Sequence, residues 1–245
     1  MPSLDLRGTP THVETAGAGE PLVLLHGGFC SLETMRPIGE ALTDTFAVHA
    51  AERPGHGRTP DRQGPFSYDD GVLDTLALLD AQGIGRAHLV GFSDGGVIAL
   101  LLAIRHPERV RSVVAISANL SPEGIGGHEV PQNTEAMARM RAEHEALSPD
   151  GPEHTEVVLA KLTELWAHQP QIPVADLARI GVPALVVAGE HDVVDREHTR
   201  SIAAGIAGAR EEIVAGTTHL LVVERPDEVT RLVRQFLADA AAPGA

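Results

Sequence analysis

Short apolar runs of strand type alternate with longer stretches of helical spacing over the first half of the chain. Residues 21–26 form a continuous apolar run of the kind found in buried strands. Residues 69–82, in contrast, carry apolar side chains at the spacing of a helix that buries one face. The pattern predicts strands at 11–15, 21–26, 46–50, 87–90 and 112–116, and helices at 32–42, 69–82 and 97–104.

The alternation stops between residues 117 and 179. This segment contains two polar, helix-forming stretches and no strand pattern. Alternation then resumes, which predicts a mainly parallel twisted sheet with helices on both faces. We therefore expect one α/β core domain, residues 1–116 and 180–245, with residues 117–179 inserted after the strand 112–116 as a small helical lid. The further predicted elements are helices at 131–147, 153–168, 197–206 and 226–240, strands at 183–188 and 211–214, and a frayed tail at 241–245.

Composition limits the classes of partner. A formal net charge of −15 repels nucleic acid and anionic membrane surfaces, so neither is expected as a partner. No apolar run approaches the roughly 20 residues that span a membrane. The first seven residues lack the basic and apolar regions of a signal peptide, and we expect a cytoplasmic protein.

A candidate nucleophile lies between the predicted strand 87–90 and the helix that follows it. The segment Gly91-Phe92-Ser93-Asp94-Gly95 fits the Gly-x-Ser-x-Gly pattern of a nucleophile elbow. In such an elbow the two glycines allow a tight turn that lifts the serine hydroxyl above the sheet. Ser93 is therefore the predicted nucleophile.

A serine hydroxyl needs a base within hydrogen-bond reach and an acid that orients this base. Of the 13 histidines, His219 follows the last predicted strand, and Asp192 follows the strand 183–188. Both therefore fall at the sheet edge where Ser93 is expected, in the order Ser, Asp, His. Asp195 is the alternative acid, although a position before a helix also suits an N-cap. No metal or cofactor is expected, because hydrolysis by a serine needs neither.

Stabilisation of the oxyanion requires backbone N–H donors near Ser93. One donor is expected from Asp94 and the other from the loop after His26-Gly27, at Gly28 or Phe29. We interpret the segment 53–57 as structural, with its arginine bracing a tight loop.

These motifs together, from His26-Gly27-Gly28 through the elbow and Gly189-Glu190-His191-Asp192 to His219, resemble the α/β-hydrolase superfamily over nearly the whole chain. The elbow and the segment 183–190 are most similar to the valacyclovirase (biphenyl hydrolase-like) group. That resemblance implies esters of α-amino acids as substrates, with the Asp94 carboxylate holding the substrate ammonium. The helix dipole is an alternative reason for a carboxylate at this position.

The predicted function is hydrolysis of small-molecule carboxylic esters by a serine hydrolase. Phe29 and Trp166 are candidate substrate contacts, although Trp166, with Leu162 and Leu165, also suits a helix face packed on the core. Carbon–carbon bond hydrolysis, lactone hydrolysis and cofactor-free perhydrolysis remain alternatives for the same catalytic groups. A ligand receptor without catalysis is a further alternative on the same fold.

Overall fold

The computed structural model describes residues 3–126 and 135–240. Its centre is a sheet of eight strands in the spatial order β1-β2-β4-β3-β5-β6-β7-β8. Strands β1 and β2 pair antiparallel, β2 pairs antiparallel with β4, and the pairs from β4 to β8 are parallel. The strands are β1 Ser3–Leu6, β2 Thr9–Ala16, β3 Glu20–Leu25, β4 Phe46–Ala51, β5 Ala87–Phe92, β6 Val110–Ile116, β7 Ala184–His191 and β8 Arg210–Thr218.

Helices cover both faces of this sheet, as the sequence pattern predicts. Side chains alternate between two apolar clusters, so that Leu89 packs on one face and Val90 on the other. Helices α2 and α3 pack together on the first face, and α1 and α8 on the second. The helices are α1 Arg36–Leu42, α2 Tyr68–Ala81, α3 Asp94–Arg105, α4 Glu135–Leu147, α5 Thr155–His168, α6 Arg196–Gly205, α7 Leu221–Glu224 and α8 Pro226–Ala240.

The predicted elements differ from the structure at several points, including the helix predicted at 32–42, the strand β1 and the short helix α7, which was not predicted. The predicted helix at 32–42 is split into a 3₁₀ turn, Leu32–Thr34, and α1. The Ser31 hydroxyl caps the 3₁₀ turn, and Pro37 has no N–H with which to continue a helix from the turn before it. Strand β1 was not predicted, because four residues with one buried side chain give almost no pattern.

Helices α4 and α5 lie in the segment 117–179, which we call the insertion. Its other described elements are 3₁₀ turns at Pro122–Gly124, Pro152–His154 and Val174–Arg179. The first four residues of the predicted helix 131–147 and the predicted tail 241–245 lie outside the described residues. None of the described helices combines the length and the apolar character required to cross a membrane.

Candidate active site

Ser93 lies at a sharp turn between β5 and α3. Its backbone has φ 53° and ψ −118°. Residues with a Cβ rarely adopt this conformation, which nucleophile elbows impose. The neighbouring backbone is tightly packed. A Cβ on Gly91 would lie 2.1 Å from the carbonyl oxygen of Gly95, and one on Gly95 would lie 2.1 Å from the carbonyl oxygen of Leu25. The turn therefore requires glycine at both positions.

The structure brings Ser93, His219 and Asp192 into one hydrogen-bonded chain. Nε2 of His219 lies 3.0 Å from the Ser93 hydroxyl oxygen, and Nδ1 lies 2.7 Å from Oδ1 of Asp192. Because the ionised carboxylate can only accept, Nδ1 of His219 carries the proton and Nε2 is free to accept the serine proton. The His219 ring also packs against the Phe92 ring, with centroids 5.4 Å apart.

The Asp192 carboxylate is held by several donors. Burial alone would raise its pKa, but hydrogen bonds from His219, Ser117 and the Val194 N–H outweigh this effect and lower the pKa. The Ser117 hydroxyl donates to Oδ2 at 2.5 Å, and Val194 N–H donates to Oδ1 at 3.1 Å. Asp192 is therefore ionised and fixed in orientation.

Ser117 was missed by sequence reasoning. It follows β6 directly and thus lies at the same sheet edge as the other site residues, which is the signal that could have identified it.

The alternative acid, Asp195, stands just before α6, where its side chain makes no capping hydrogen bond. The described residues contain no group of three or more His, Cys, Asp or Glu side chains that could hold a metal ion.

The predicted oxyanion donors lie in two segments, the start of α3 and the loop after β3. Asp94 is the first residue of α3, so its amide has no partner within the helix. Gly28 and Phe29 lie in the loop after β3, and Phe29 has a positive φ of 52°. The Phe29 ring is buried and packs 5.1 Å from the His144 ring of α4.

Arg53 braces this loop through its guanidinium group. Its Nη2 donates to the carbonyl oxygen of Gly27 at 2.8 Å and also lies 3.4 Å from that of His26. The Arg53 backbone N–H in turn donates to Nε2 of His26 at 3.0 Å. The segment 53–57 therefore holds the loop that carries Gly28 and Phe29.

The Asp94 side chain faces the interior and has several partners. Tyr68 and Trp166 donate to Oδ1 at 2.9 and 3.0 Å, and the Arg53 guanidinium lies 3.5 Å from Oδ2. Asp94 is only 3% exposed. Tyr68 is buried beside this carboxylate, and both effects raise its pKa well above the usual value, so it remains a donor. Neither Tyr68 nor the contact with Trp166 was predicted.

Helix α5 presents two kinds of contact toward the core. Leu162 and Leu165 are buried in the apolar cluster, as expected for a packed helix face. Trp166 is 40% exposed and reaches Asp94 through its indole N–H. A cavity of about 60 Å³ lies beside this helix, lined among others by Arg53, Leu162 and Leu165, and Ser93 does not line it.

Residues 22–232 match the Alpha/beta hydrolase family. The chain belongs to this family. The predicted fold class and the predicted resemblance are therefore confirmed, and the protein is an α/β-hydrolase enzyme.

Curated relatives of this α/β hydrolase include several kinds of hydrolase. It is 30% identical to Serine hydrolase BPHL of Homo sapiens, over 95% of this chain and 84% of that protein. It is also 30% identical to 2-hydroxymuconate semialdehyde hydrolase of Pseudomonas sp. (strain CF600), over 96% of this chain and 93% of that protein. Among solved structures, the enol-lactonase from Burkholderia xenovorans LB400 superposes with a TM-score of 0.77 at 28% identity, covering 97% of this chain and all of that one.

The buried histidines of the loops beside the site predict a loss of stability in mild acid. Burial lowers the pKa of His26 to about 3 and that of His56 well below its usual value. Both are therefore neutral in the folded protein when they are protonated in the unfolded chain, below about pH 6.5. The folded state is therefore destabilised relative to the unfolded chain as the pH falls below about 6.5. Each histidine should lower the unfolding free energy by about 1.4 kcal/mol per pH unit.

Guanidinium unfolding between pH 6.0 and 5.0 measures this dependence. His26→Gln should reduce the slope by about 1.4 kcal/mol per pH unit, whatever its stability at pH 7.5. The exposed His168 provides the matched control, since His168→Gln makes the same substitution outside the buried loops beside the site. An unchanged slope in His26→Gln would contradict the assignment of a neutral, buried His26.

Proposed function

We propose that this protein is a serine hydrolase that cleaves carboxylic esters of small molecules through an acyl-enzyme intermediate. The observation that carries this proposal is the continuous chain from Asp192 through His219 to the Ser93 hydroxyl, with distances of 2.7 and 3.0 Å. These are the contacts that a nucleophile, its base and the orienting acid must make.

In the first half-reaction, the Ser93 oxygen attacks the ester carbonyl carbon while its proton passes to Nε2 of His219. The imidazolium that forms is stabilised by the ionised Asp192. The tetrahedral intermediate then collapses, its bond to the leaving oxygen breaks, and His219 gives the proton to the departing alcohol. The acyl group remains bonded to Ser93.

Water completes the cycle by the same groups. His219 takes a proton from water, the hydroxide attacks the acyl carbon, and the proton returns to the Ser93 oxygen as the acid leaves. In both half-reactions the carbonyl oxygen becomes negative and is met by the amides of Asp94 and of Gly28 or Phe29. One such donor contributes about 3–4 kcal/mol to transition-state stabilisation. The reaction consumes water and requires no other reactant.

The insertion is proposed to be the lid of this site. Its helix α4 contacts the loop after β3 through Glu143, which accepts a hydrogen bond from Ser31 at 2.5 Å. Its helix α5 contacts the loop at 53–67 through Lys161, whose ammonium lies 2.6 Å from the Asp61 carboxylate. Such a cover restricts the site to small molecules and excludes bulk water from the reacting groups.

A substrate panel tests the proposed function. p-Nitrophenyl esters, lactones, a vinylogous 1,5-diketone of the ring-fission type, and peroxide with halide would each be assayed with the purified protein. The proposal predicts the highest kcat/KM for the esters and a burst of p-nitrophenol when acylation is the faster step. Faster turnover of lactones or of the diketone would contradict the assignment of esters as the substrate class. Thermal stabilisation by an ester without its turnover would indicate a ligand receptor.

A further inference from the structure

The carboxylate of Asp94 is enclosed on every side that the described residues define. Its Oδ1 accepts hydrogen bonds from the Tyr68 hydroxyl and the Trp166 indole. Its Oδ2 faces the Arg53 guanidinium at 3.5 Å. Gly28 closes the remaining side, because a Cβ on Gly28 would lie 2.6 Å from Oδ2 and 2.6 Å from Cζ2 of Trp166. A substrate ammonium could reach this carboxylate only by displacing one of these groups.

The charge of Asp94 is also compensated. A bare carboxylate next to the nucleophile would oppose the negative charge that develops on the substrate oxygen, since like charges repel strongly where water is excluded. The Arg53 side chain, which is only 16% exposed, provides the opposite charge. The pair leaves the amide of Asp94 free to act as an oxyanion donor beside a neutralised side chain.

Trp166 connects two parts of the chain that are distant in sequence. It lies near the end of α5 in the insertion, whereas Asp94 begins the helix behind the nucleophile. Buried neighbours Leu162 and Leu165 fix the helix against the core, but the indole itself is 40% exposed. Its hydrogen bond to Asp94 is therefore a directional contact that sets the position of this exposed ring over the loop at Gly28.

We propose that Asp94 is a positioning residue, whose carboxylate fastens Trp166 of the insertion over the active site and is not the receptor for a substrate cation. We call the cluster of Asp94, Arg53, Tyr68 and Trp166 the latch. This inference rests on the proposed ester hydrolysis and deepens it. It implies that α-amino acid esters gain nothing from Asp94.

Tryptophan fluorescence tests the latch without any substrate, since Trp166 is the single tryptophan of the chain. Asp94→Ala removes the acceptor of the indole N–H. We expect a red-shifted emission and roughly a doubling of the acrylamide quenching constant. Glu164→Gln, which changes an exposed carboxylate on the same helix, is the matched control and should give the wild-type spectrum and quenching. Wild-type emission and quenching in a folded Asp94→Ala would overturn the proposal.

Steady-state kinetics distinguish positioning from cation binding. Asp94→Asn replaces one carboxylate oxygen by an NH₂ group, which then meets either the Arg53 guanidinium or the Tyr68 and Trp166 donors and disturbs the position of Trp166. We expect kcat/KM to fall roughly 10-fold for an acetyl ester and for an aminoacyl ester of the same alcohol, with the two losses agreeing within about two-fold. A loss confined to the aminoacyl ester would assign the carboxylate to the substrate ammonium and overturn the latch.

A second variant covers the case in which changes at Asp94 prevent folding. Trp166→Phe keeps an aromatic ring and removes the N–H donor, so it should lower kcat/KM equally for both esters. An unchanged kcat/KM in Trp166→Phe contradicts the latch. The fluorescence test can reject the latch independently of the proposed function, because it reports the surroundings of Trp166 even if no ester is hydrolysed. Conversely, ester hydrolysis with a wild-type spectrum in Asp94→Ala leaves the proposed function intact and removes the latch.

Discussion

Ser93→Ala should lower kcat for ester hydrolysis by a factor on the order of 10⁶, because removal of the nucleophile leaves only binding and oxyanion stabilisation. The variant should keep the fold. Alanine has the same Cβ as serine, so the positive φ of 53° at this position costs it no more than it costs serine. Activity is measured with a p-nitrophenyl ester, and the folded state by thermal unfolding and circular dichroism.

Ser201→Ala is the matched control for this substitution. Ser201 lies on α6 and donates its hydroxyl hydrogen bond to the carbonyl oxygen of His198, away from the proposed nucleophile. Its kcat should remain within about two-fold of the wild type. A folded Ser93→Ala that retained more than about one per cent of kcat would contradict the assignment of the nucleophile.

Asp192→Asn should lower kcat by about 10⁴, the loss expected when an orienting carboxylate becomes an amide. Backbone N–H donors lie on both sides of this carboxylate. The Val194 N–H faces Oδ1 together with His219, and the Gly189 N–H faces Oδ2 together with the Ser117 hydroxyl, so an amide NH₂ group meets an N–H donor on either side. With the NH₂ group toward His219, Nδ1 must accept, and Nε2 then carries the proton. His219 in this tautomer cannot accept a proton from Ser93.

Asp195→Asn separates the two candidate acids with the same chemical change. It should leave kcat near the wild-type value, because Asp195 makes no hydrogen bond to His219 among the described residues. A large loss in Asp195→Asn together with a small one in Asp192→Asn would reverse the assignment of the acid.

Much of the fold was predictable because buried parallel strands are continuous apolar runs. Strands β3 to β7 are of this type, and each is bounded by glycine, proline or polar residues that mark its ends. The positions of the candidate site residues follow from the same logic. Ser93, Asp192 and His219 each come directly after a strand or at its end, so a parallel sheet brings them to one edge.

Contacts between distant segments were not predictable from the chain. The sequence gives no periodic or local signal that Tyr68, at the start of α2, and Trp166 of the insertion meet at one carboxylate. The resemblance to the valacyclovirase group suggested a role for Asp94 in binding a substrate cation, and the helix dipole offered another reason for its presence. The packing of three distant side chains around the carboxylate supports the different role that we propose.

Covalent labelling tests the central claim most directly. A fluorophosphonate probe should react with one serine of the wild-type protein, and mass spectrometry of the digested adduct should place the label on Ser93. Labelling should be absent in Ser93→Ala, reduced in His219→Gln and unchanged in Ser201→Ala. A label on another residue, or persistent labelling of folded Ser93→Ala, would show that Ser93 is not the nucleophile.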